Sequence, residues 1–134
     1  MGENEISRKV IGAAMRVHRR LGPGLLESVY EGALAYELGK EGLSVLRQVP
    51  VRLQYDELVW DTAFRCDLIV EDLVIVEIKA VEAVEPVHHS QLLTYLRFAN
   101  KRLGLLVNFN TKLLKHGITR IANGLADYPD TESA

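Results

Sequence analysis

The chain has 134 residues, of which 48% are hydrophobic and 25% are charged, a balance typical of one globular domain. No run approaches the roughly 18 uncharged apolar residues that span a membrane, and the start, MGENEISRKV, lacks the features of a secretory signal. Because Cys66 is the only cysteine, no internal disulfide can form. We therefore expect a reducing compartment and, by elimination, a cytoplasmic location.

The formal net charge is -2, but charge is segregated along the chain. Among Lys, Arg, Asp and Glu, residues 6–26 and 86–126 contain only basic residues, whereas residues 27–85 carry 13 acidic and five basic residues. If the two basic segments meet in space, they form a phosphate-attracting surface beside an acidic centre. The alternative is that they are the solvated faces of two helices, and segregation alone does not decide between the two.

Two helices are predicted at the start of the chain. Over residues 5–21 the apolar residues recur at helical spacing and the basic residues mostly fall elsewhere, which indicates an amphipathic helix. Gly22-Pro23-Gly24 ends this helix. A second helix is expected at about residues 25–41, where Gly42 stops it in a left-handed conformation.

Three strands are predicted next. Residues 45–55 are rich in β-branched side chains, and Pro50 places them at a sheet edge or a bulge. Residues 62–70 alternate. One face takes Phe64, Cys66, Leu68 and Val70, and the other takes Arg65, Asp67 and Ile69. Residues 73–81 form an almost continuous apolar run, which is typical of a central strand covered on both faces.

The last part of the chain predicts a helix over residues 87–100 and a short strand over 104–109. The tail after Gly117 is expected to form a helix or a strand, and residues from about Tyr128 onward to fray. The order αα-βββ-α-β predicts an α/β fold with a single mixed β-sheet flanked by helices. We expect one domain over residues 1–134, with an ordered core at about 5–125.

Two charged residues, Glu77 and Lys79, interrupt the apolar run. They are two apart, so both project from one face of the strand, and charged groups are rarely buried unless they are paired or bind a metal. Asp67 lies on the preceding strand. It can face Glu77 only if the connection around Glu71-Asp72 holds an odd number of residues or carries a bulge.

This constellation predicts a metal site. An isolated E-x-K is more often a structural ion pair, but its place in an apolar strand beside Asp67 favours a site. The carboxylates of Asp67 and Glu77 suit Mg²⁺ or Mn²⁺, and such an ion activates water and neutralises charge on a phosphate. Lys79 can position that water or stabilise the transition state.

Further side chains are expected to join the site. Gln91 and Tyr95 are four apart on the third helix, so they share a face and can bind a phosphate or orient Lys79. Glu27 and Tyr30 share a face at the start of the second helix, where the helix dipole also favours a glutamate. The predicted nucleic-acid-binding residues are Arg16, Arg19, Arg20, Tyr30, Lys101 and Arg102.

The segment Gly24-x-x-Glu27-x-x-Tyr30 resembles the signature of the GxxExxY protein family, which is placed in the PD-(D/E)XK nuclease superfamily. The resemblance covers about residues 5–125, including Glu77-x-Lys79 and Gln91-x-x-x-Tyr95. It implies a restriction-endonuclease-like core in which Asp67, Glu77 and Glu27 bind metal and Lys79 helps to activate water. Cys66 stands where the proline of the superfamily's name would precede the aspartate, a departure that is common in the group.

We therefore expect a Mg²⁺- or Mn²⁺-dependent phosphodiesterase that cuts nucleic acid, DNA rather than RNA. The main alternative is a catalytically weak or silent nucleic-acid-binding accessory module with the same fold. A junction-resolving homodimer and a regulatory protein also stay open. The sequence does not determine whether cleavage occurs at ends or internally, which sequences are preferred, or the oligomeric state.

Overall fold

A computed structural model describes residues 1–125 of the chain. In chain order its elements are α1 (Glu3–Leu21), α2 (Glu27–Lys40), β1 (Val45–Tyr55), β2 (Leu58–Val70), β3 (Val74–Lys79), α3 (Pro86–Ala99), β4 (Leu103–Asn108), a 3₁₀ turn (Leu114–His116) and β5 (Ile118–Ala122). The predicted α/β class and element order are confirmed, and the segment after Gly117 is a strand. The expected fraying from Tyr128 concerns residues outside the described part.

The strands form one mixed sheet in the order β1-β2-β3-β4-β5. Neighbours are antiparallel except β3 and β4, which are parallel and are joined by the crossover helix α3, as a parallel pair requires. The strand β1 lies at one edge of the sheet, so the prediction from Pro50 is confirmed.

Helices cover both faces of this sheet. On one face α1 and α2 pack on alternate residues of the central strands, with Leu34 and Leu38 in the same cluster as Val76 and Leu105. On the other face α3 contributes Leu92 and Leu96, which belong to a second buried cluster with Ile69, Ile75 and Leu106. Central strands covered on both sides explain the apolar runs in the sequence. No helix in residues 1–125 is long and apolar enough to cross a membrane.

Two glycines have specific backbone roles in these elements. Gly42 has φ 82° and follows the end of α2, so the predicted left-handed stop is confirmed. Gly104 lets α3 approach β4 closely, because a Cβ atom there would lie 3.0 Å from both Cδ atoms of Leu92.

The predicted alternation along β2 is wrong at Asp67. Cys66 packs in the cluster under α3, whereas Leu68 and Val70 pack under α1 and α2. Opposite this point on β1, Gln48 has φ 50°, a left-handed conformation that interrupts the pleat. The two-residue period therefore does not run through Asp67, and the outer part of the β1–β2 hairpin has its faces exchanged relative to the rest of the sheet.

Candidate active site

The strands β2 and β3 are paired only as far as Leu68 and Val76. The next residues, Asp67 and Glu77, bridge the two strands with their carboxylates. The backbone N–H of Asp67 donates to Glu77 Oε2 at 2.7 Å, and the backbone N–H of Ile78 donates to Asp67 Oδ2 at 2.8 Å. One oxygen of each carboxylate thus satisfies a backbone donor of the other strand, and the two acids face each other.

The connection between β2 and β3 makes this arrangement possible. It consists of residues 71–73, because β2 ends at Val70 and β3 begins at Val74. Glu71 and Asp72 both have positive φ, 53° and 55°, which lets the chain reverse tightly. Of the two possibilities that the sequence left open, an odd number of residues or a bulge, the connection has the odd number.

Glu77 is buried, with 6% of its surface exposed. Burial, together with the negative charges of Asp67 and Glu31, raises its pKa to about 8, although the Asp67 N–H and the charge of Lys79 act in the opposite direction. The cause is that removing a carboxylate from water next to like charges disfavours its ionised form. The groups around Glu77 therefore do not fully stabilise its ionised form.

Lys79 ends β3 and shares a strand face with Glu77. Its side chain is half-buried and makes no ion pair within residues 1–125. Its carbonyl accepts a hydrogen bond from the Phe109 N–H at 2.9 Å, which fixes the end of β3 beside the loop after β4. The ammonium group is available to a ligand.

Glu27 reaches the same place from the first residue of α2. Its Oε2 accepts the backbone N–H of Ala80, the residue after Lys79, at 3.0 Å. The structure therefore brings Glu27 to the end of β3, as the sequence predicted.

Glu31 was missed by the sequence analysis. It lies one turn after Glu27 on the same face of α2 and is buried. Its Oε1 accepts from Gln48 Nε2 at 2.6 Å and its Oε2 from Arg47 Nε at 3.1 Å. The four-residue spacing from Glu27 was the signal that could have found it.

Gln48 was also missed. Its Nε2 donates to Asp67 Oδ1 at 3.2 Å as well as to Glu31, so one amide group links two carboxylates. Its left-handed backbone costs on the order of 1–3 kcal/mol. Nothing in the sequence indicates that a glutamine in a strand adopts this conformation.

The carboxylates are held mainly by hydrogen-bond donors. Across the described chain no group of three His, Cys, Asp or Glu side chains is arranged to hold a metal ion. Within residues 1–125 the Oε1 atom of Glu77 accepts no hydrogen bond, and Asp67 Oδ1 accepts a hydrogen bond only from the side-chain amide of Gln48. These two oxygens are the ones that remain for a further ligand.

Tyr95 lies beside the acids, whereas Gln91 makes no hydrogen bond with them in residues 1–125. The Tyr95 ring stacks on Phe64 with centroids 4.1 Å apart. Burial raises the pKa of Tyr95, and the charge of Glu77 adds to this effect. Gln91 is exposed, and no hydrogen bond joins either residue to Lys79 in the part of the chain that is described.

The prediction that Tyr30 binds nucleic acid is wrong. Its side chain is 0% exposed and stacks on Phe109 with centroids 4.5 Å apart. Its hydroxyl donates to the Gly22 carbonyl at 2.6 Å and accepts from the Leu25 N–H at 3.0 Å. Tyr30 therefore ties the loop before α2 to the core.

Lys101 and Arg102 lie at the wrong end of the sheet for the predicted role. They precede β4, whose first residue pairs with Val74 at the start of β3, so the whole length of β3 separates them from Lys79. Lys101 pairs with Asp72 at 3.0 Å, and Arg102 pairs with both carboxylate oxygens of Glu3 at 2.9 Å. Their charges serve the fold.

The three arginines of α1 that were predicted to bind nucleic acid divide into two groups. Arg16 pairs with Glu37 at 3.2 Å and with Glu41 at 3.1 Å, so its charge is already neutralised. Arg19 and Arg20 are exposed and make no ion pair within residues 1–125.

The two basic segments do meet, at the same end of the sheet as Lys79. Arg19 and Lys112 line one groove of about 340 Å³. His18 Nε2 lies 2.7 Å from the Thr111 carbonyl oxygen, which holds α1 against the loop after β4. Because Lys79 pairs with Asn108 at the end of β4, this loop starts beside the candidate site.

A family model described as the PD-(D/E)XK nuclease superfamily matches residues 4–121. No curated protein and no solved structure matched the chain. The matched region covers α1 apart from its first residue, every element from α2 to β4, and most of β5.

Proposed function

Because this chain belongs to the PD-(D/E)XK nuclease superfamily, we propose that it is a metal-dependent nuclease that hydrolyses phosphodiester bonds, with DNA favoured as substrate. The observation that carries the proposal is the pairing of Asp67 with Glu77 where β2 and β3 part, with Lys79 two residues further on. A fold alone does not specify a function, so the proposal rests on these side chains.

The acidic cluster suits a divalent cation. Asp67 and Glu77, with Glu27 at the end of β3, offer the hard oxygen ligands that Mg²⁺ and Mn²⁺ prefer. The raised pKa of Glu77 supports this assignment, because a nearby dication relieves the repulsion between the acids. When bound, such an ion supplies an activated water and neutralises charge on the phosphate.

The other proposed roles belong to the chain's own side chains. The ammonium group of Lys79 would hold the attacking water or stabilise the phosphate oxygens as negative charge develops. Gln91 and Tyr95 are proposed to contact the substrate phosphate from α3. Glu31 and Gln48 extend the site, since the Gln48 amide holds Glu31 beside Asp67 despite their like charges.

One observation favours a silent accessory module as the second candidate. Glu31 is already partnered by Arg47 and Gln48, and no three acids in residues 1–125 are arranged around a common metal position. A module of this kind would bind nucleic acid without cutting it.

The test is cleavage of end-labelled single- and double-stranded DNA, and of RNA of the same sequence, at low salt with Mg²⁺, Mn²⁺ or EDTA. We expect metal-dependent cutting that Lys79→Ala and Glu77→Ala each lower by at least about 100-fold. Lys101→Ala, at the opposite end of the sheet, is the matched lysine control and should cut like the wild type.

Mn²⁺ binding by calorimetry separates the roles of the two residues. It should be lost in Glu77→Ala and kept in Lys79→Ala. Normal cutting by Lys79→Ala would exclude its catalytic role. Binding of nucleic acid without cleavage under every metal condition would favour the accessory module.

A further inference from the structure

The β1–β2 hairpin extends well beyond the sheet. Pairing of β2 with β3 begins only at Leu68, whereas β1 and β2 stay paired out to Tyr55 and Leu58. Residues 49–66 therefore form a two-stranded arm that rises from the position of Asp67. A two-stranded ribbon is marginally stable in water unless one of its faces is covered.

One face of this arm is mainly apolar. Strand alternation places Val49, Val51, Leu53 and Tyr55 on one face of β1. Across the ribbon, Val51 pairs with Phe64. Beyond a shift in register between Val51 and Leu53, Leu53 pairs with Trp60 and Tyr55 with Leu58, and directly paired residues share a face.

Only the inner half of this apolar face is covered by the protein itself. Val49, Val51 and Phe64 pack in the cluster under α3, where Phe64 stacks on Tyr95. In the outer half, the side chains of Tyr55, Leu58 and Trp60 are 66%, 58% and 45% exposed. Together with Leu53 they leave on the order of 300–400 Å² of apolar surface open, which is the size of the largest apolar patch on a typical monomer, and such patches are often functional.

The charge of the arm argues against nucleic acid as the occupant. The turn at its tip is Asp56-Glu57, and Asp61 lies nearby on β2. Against these three acids the arm has only Arg52 and Arg65. Its tip would repel a phosphate backbone, whereas nucleic-acid-binding surfaces combine aromatic residues with basic ones.

We propose that the outer apolar face of the arm, formed by Leu53, Tyr55, Leu58 and Trp60, is the contact surface for a second copy of this chain. An apolar strip can pair with itself about a two-fold axis, and two sheet faces pack well in this way. A standard interface buries roughly 800 Å² per partner. The strip supplies about half of that as its apolar core, and the polar flanks of the arm supply the rim.

Charge complementarity supports this partner. In a two-fold pair of antiparallel arms, the tip of each arm points toward the base of the other, where α3 covers the inner apolar residues. The acidic tip, Asp56-Glu57, would therefore approach Pro86–Ala99, a helix that has no acidic residue and carries the positive charge of Arg97. The other copy thus presents its apolar strip to the apolar strip of the first copy, and its helix α3 to the acidic tip.

Trp60 is the only tryptophan in the chain, so its fluorescence reports on this surface without any mutation. On dilution we expect its emission to shift to longer wavelength, as water replaces the other copy. Sedimentation velocity should show, over the same concentrations, a change from twice the chain mass of 15.0 kDa to the single mass.

Trp60→Asp and Leu58→Asp should each give monomers at all concentrations, with unchanged circular dichroism. Tyr36→Asp changes an aromatic side chain on α2 that is 65% exposed, and this control should remain dimeric. A wild-type protein that is still monomeric at a concentration of about 100 μM, which is the Kd of a weak complex, would overturn the proposal. So would a dimer that survives in Trp60→Asp, or Trp60 emission that responds to an oligonucleotide but not to dilution.

Discussion

Tyr30 shows that a polar side chain at the start of a helix can serve the fold instead of a ligand. Its position three residues after Glu27 was compatible with both roles, because the helical spacing says only that the two side chains share a face. The stacking on Phe109 and the two hydrogen bonds to the loop at Gly22 and Leu25 decide the question. Tyr30 holds this loop, and hence the start of α2, in place.

Tyr30→Phe should therefore destabilise the protein without changing its affinity for nucleic acid. Removing the hydroxyl leaves the Gly22 carbonyl and the Leu25 N–H without their partner, which costs about 1–3 kcal/mol. Urea unfolding measures this loss, and filter binding at a temperature where both proteins are folded measures the affinity. Tyr36→Phe, on the exposed face of α2, should leave both unchanged. A defect in nucleic-acid binding by a fully folded Tyr30→Phe protein would support the contact between Tyr30 and nucleic acid that the sequence predicted.

Gln48 represents the opposite case, a residue whose importance no sequence pattern indicates. Its side chain reaches Asp67 and Glu31 only because its backbone turns into the left-handed region. Such a conformation in a non-glycine residue persists where the surroundings impose it. Here the surroundings are two carboxylates on different elements, which the sequence does not place together.

At the scale of elements, the helices and strands were predicted to within a few residues, because apolar spacing is a local property. The β2 strand is the exception. Its start was placed at residue 62, whereas the strand begins at Leu58, and its faces exchange at Asp67. The exposed, mixed sequence of the arm does not show the regular alternation of a half-buried strand.

The ion pair between Glu3 and Arg102 joins two elements, the start of α1 and the start of β4. The hydrogen-bonded guanidinium of Arg102 holds the pKa of Glu3 below its usual value of 4.5. A lowered carboxylate pKa contributes stability above the pKa of the unfolded state, and this contribution is lost as the pH falls through the pKa of the folded state.

Arg102→Gln should accordingly lower the urea midpoint at pH 7 and have no effect at a pH well below 4.5. Glu3→Gln should do the same, and the double variant should be no less stable than either single variant. Unfolding curves at several pH values provide the measurement. A stability loss in Arg102→Gln that persists in acid would show that packing, and not the ion pair, is responsible.

For the whole molecule, the direction of β4 decides where the positive charges lie. Because β4 is parallel to β3, Lys101 and Arg102 enter at the end of the sheet opposite to Lys79. Lys112, which follows β4, returns to the same end as Lys79 and meets Arg19. The segregation of charge along the sequence therefore predicted the location of only part of each basic segment.

Arg19→Gln combined with Arg20→Gln should weaken nucleic-acid binding and lower its dependence on salt. Each lost phosphate contact reduces the slope of log K against log salt concentration by about 1. Binding measured at several salt concentrations gives this slope. Arg97→Gln, on the outer part of α3, is the matched control and should keep the wild-type slope. An unchanged slope in the double variant would mean that both arginines are only solvated.

The sequence by itself determined the α/β class, the element order and the placement of Glu77 and Lys79 on the same face of one strand. These follow from periods of 2 and 3.6 residues. The sequence also indicated the condition under which Asp67 faces Glu77, namely a connection with an odd number of residues or with a bulge. Only the tertiary structure decided that Glu31 and Gln48 join these acids, that Tyr30 is buried and that Lys101 and Arg102 lie far away. These outcomes depend on how separate elements pack and in which direction each strand runs, and neither is encoded in local spacing.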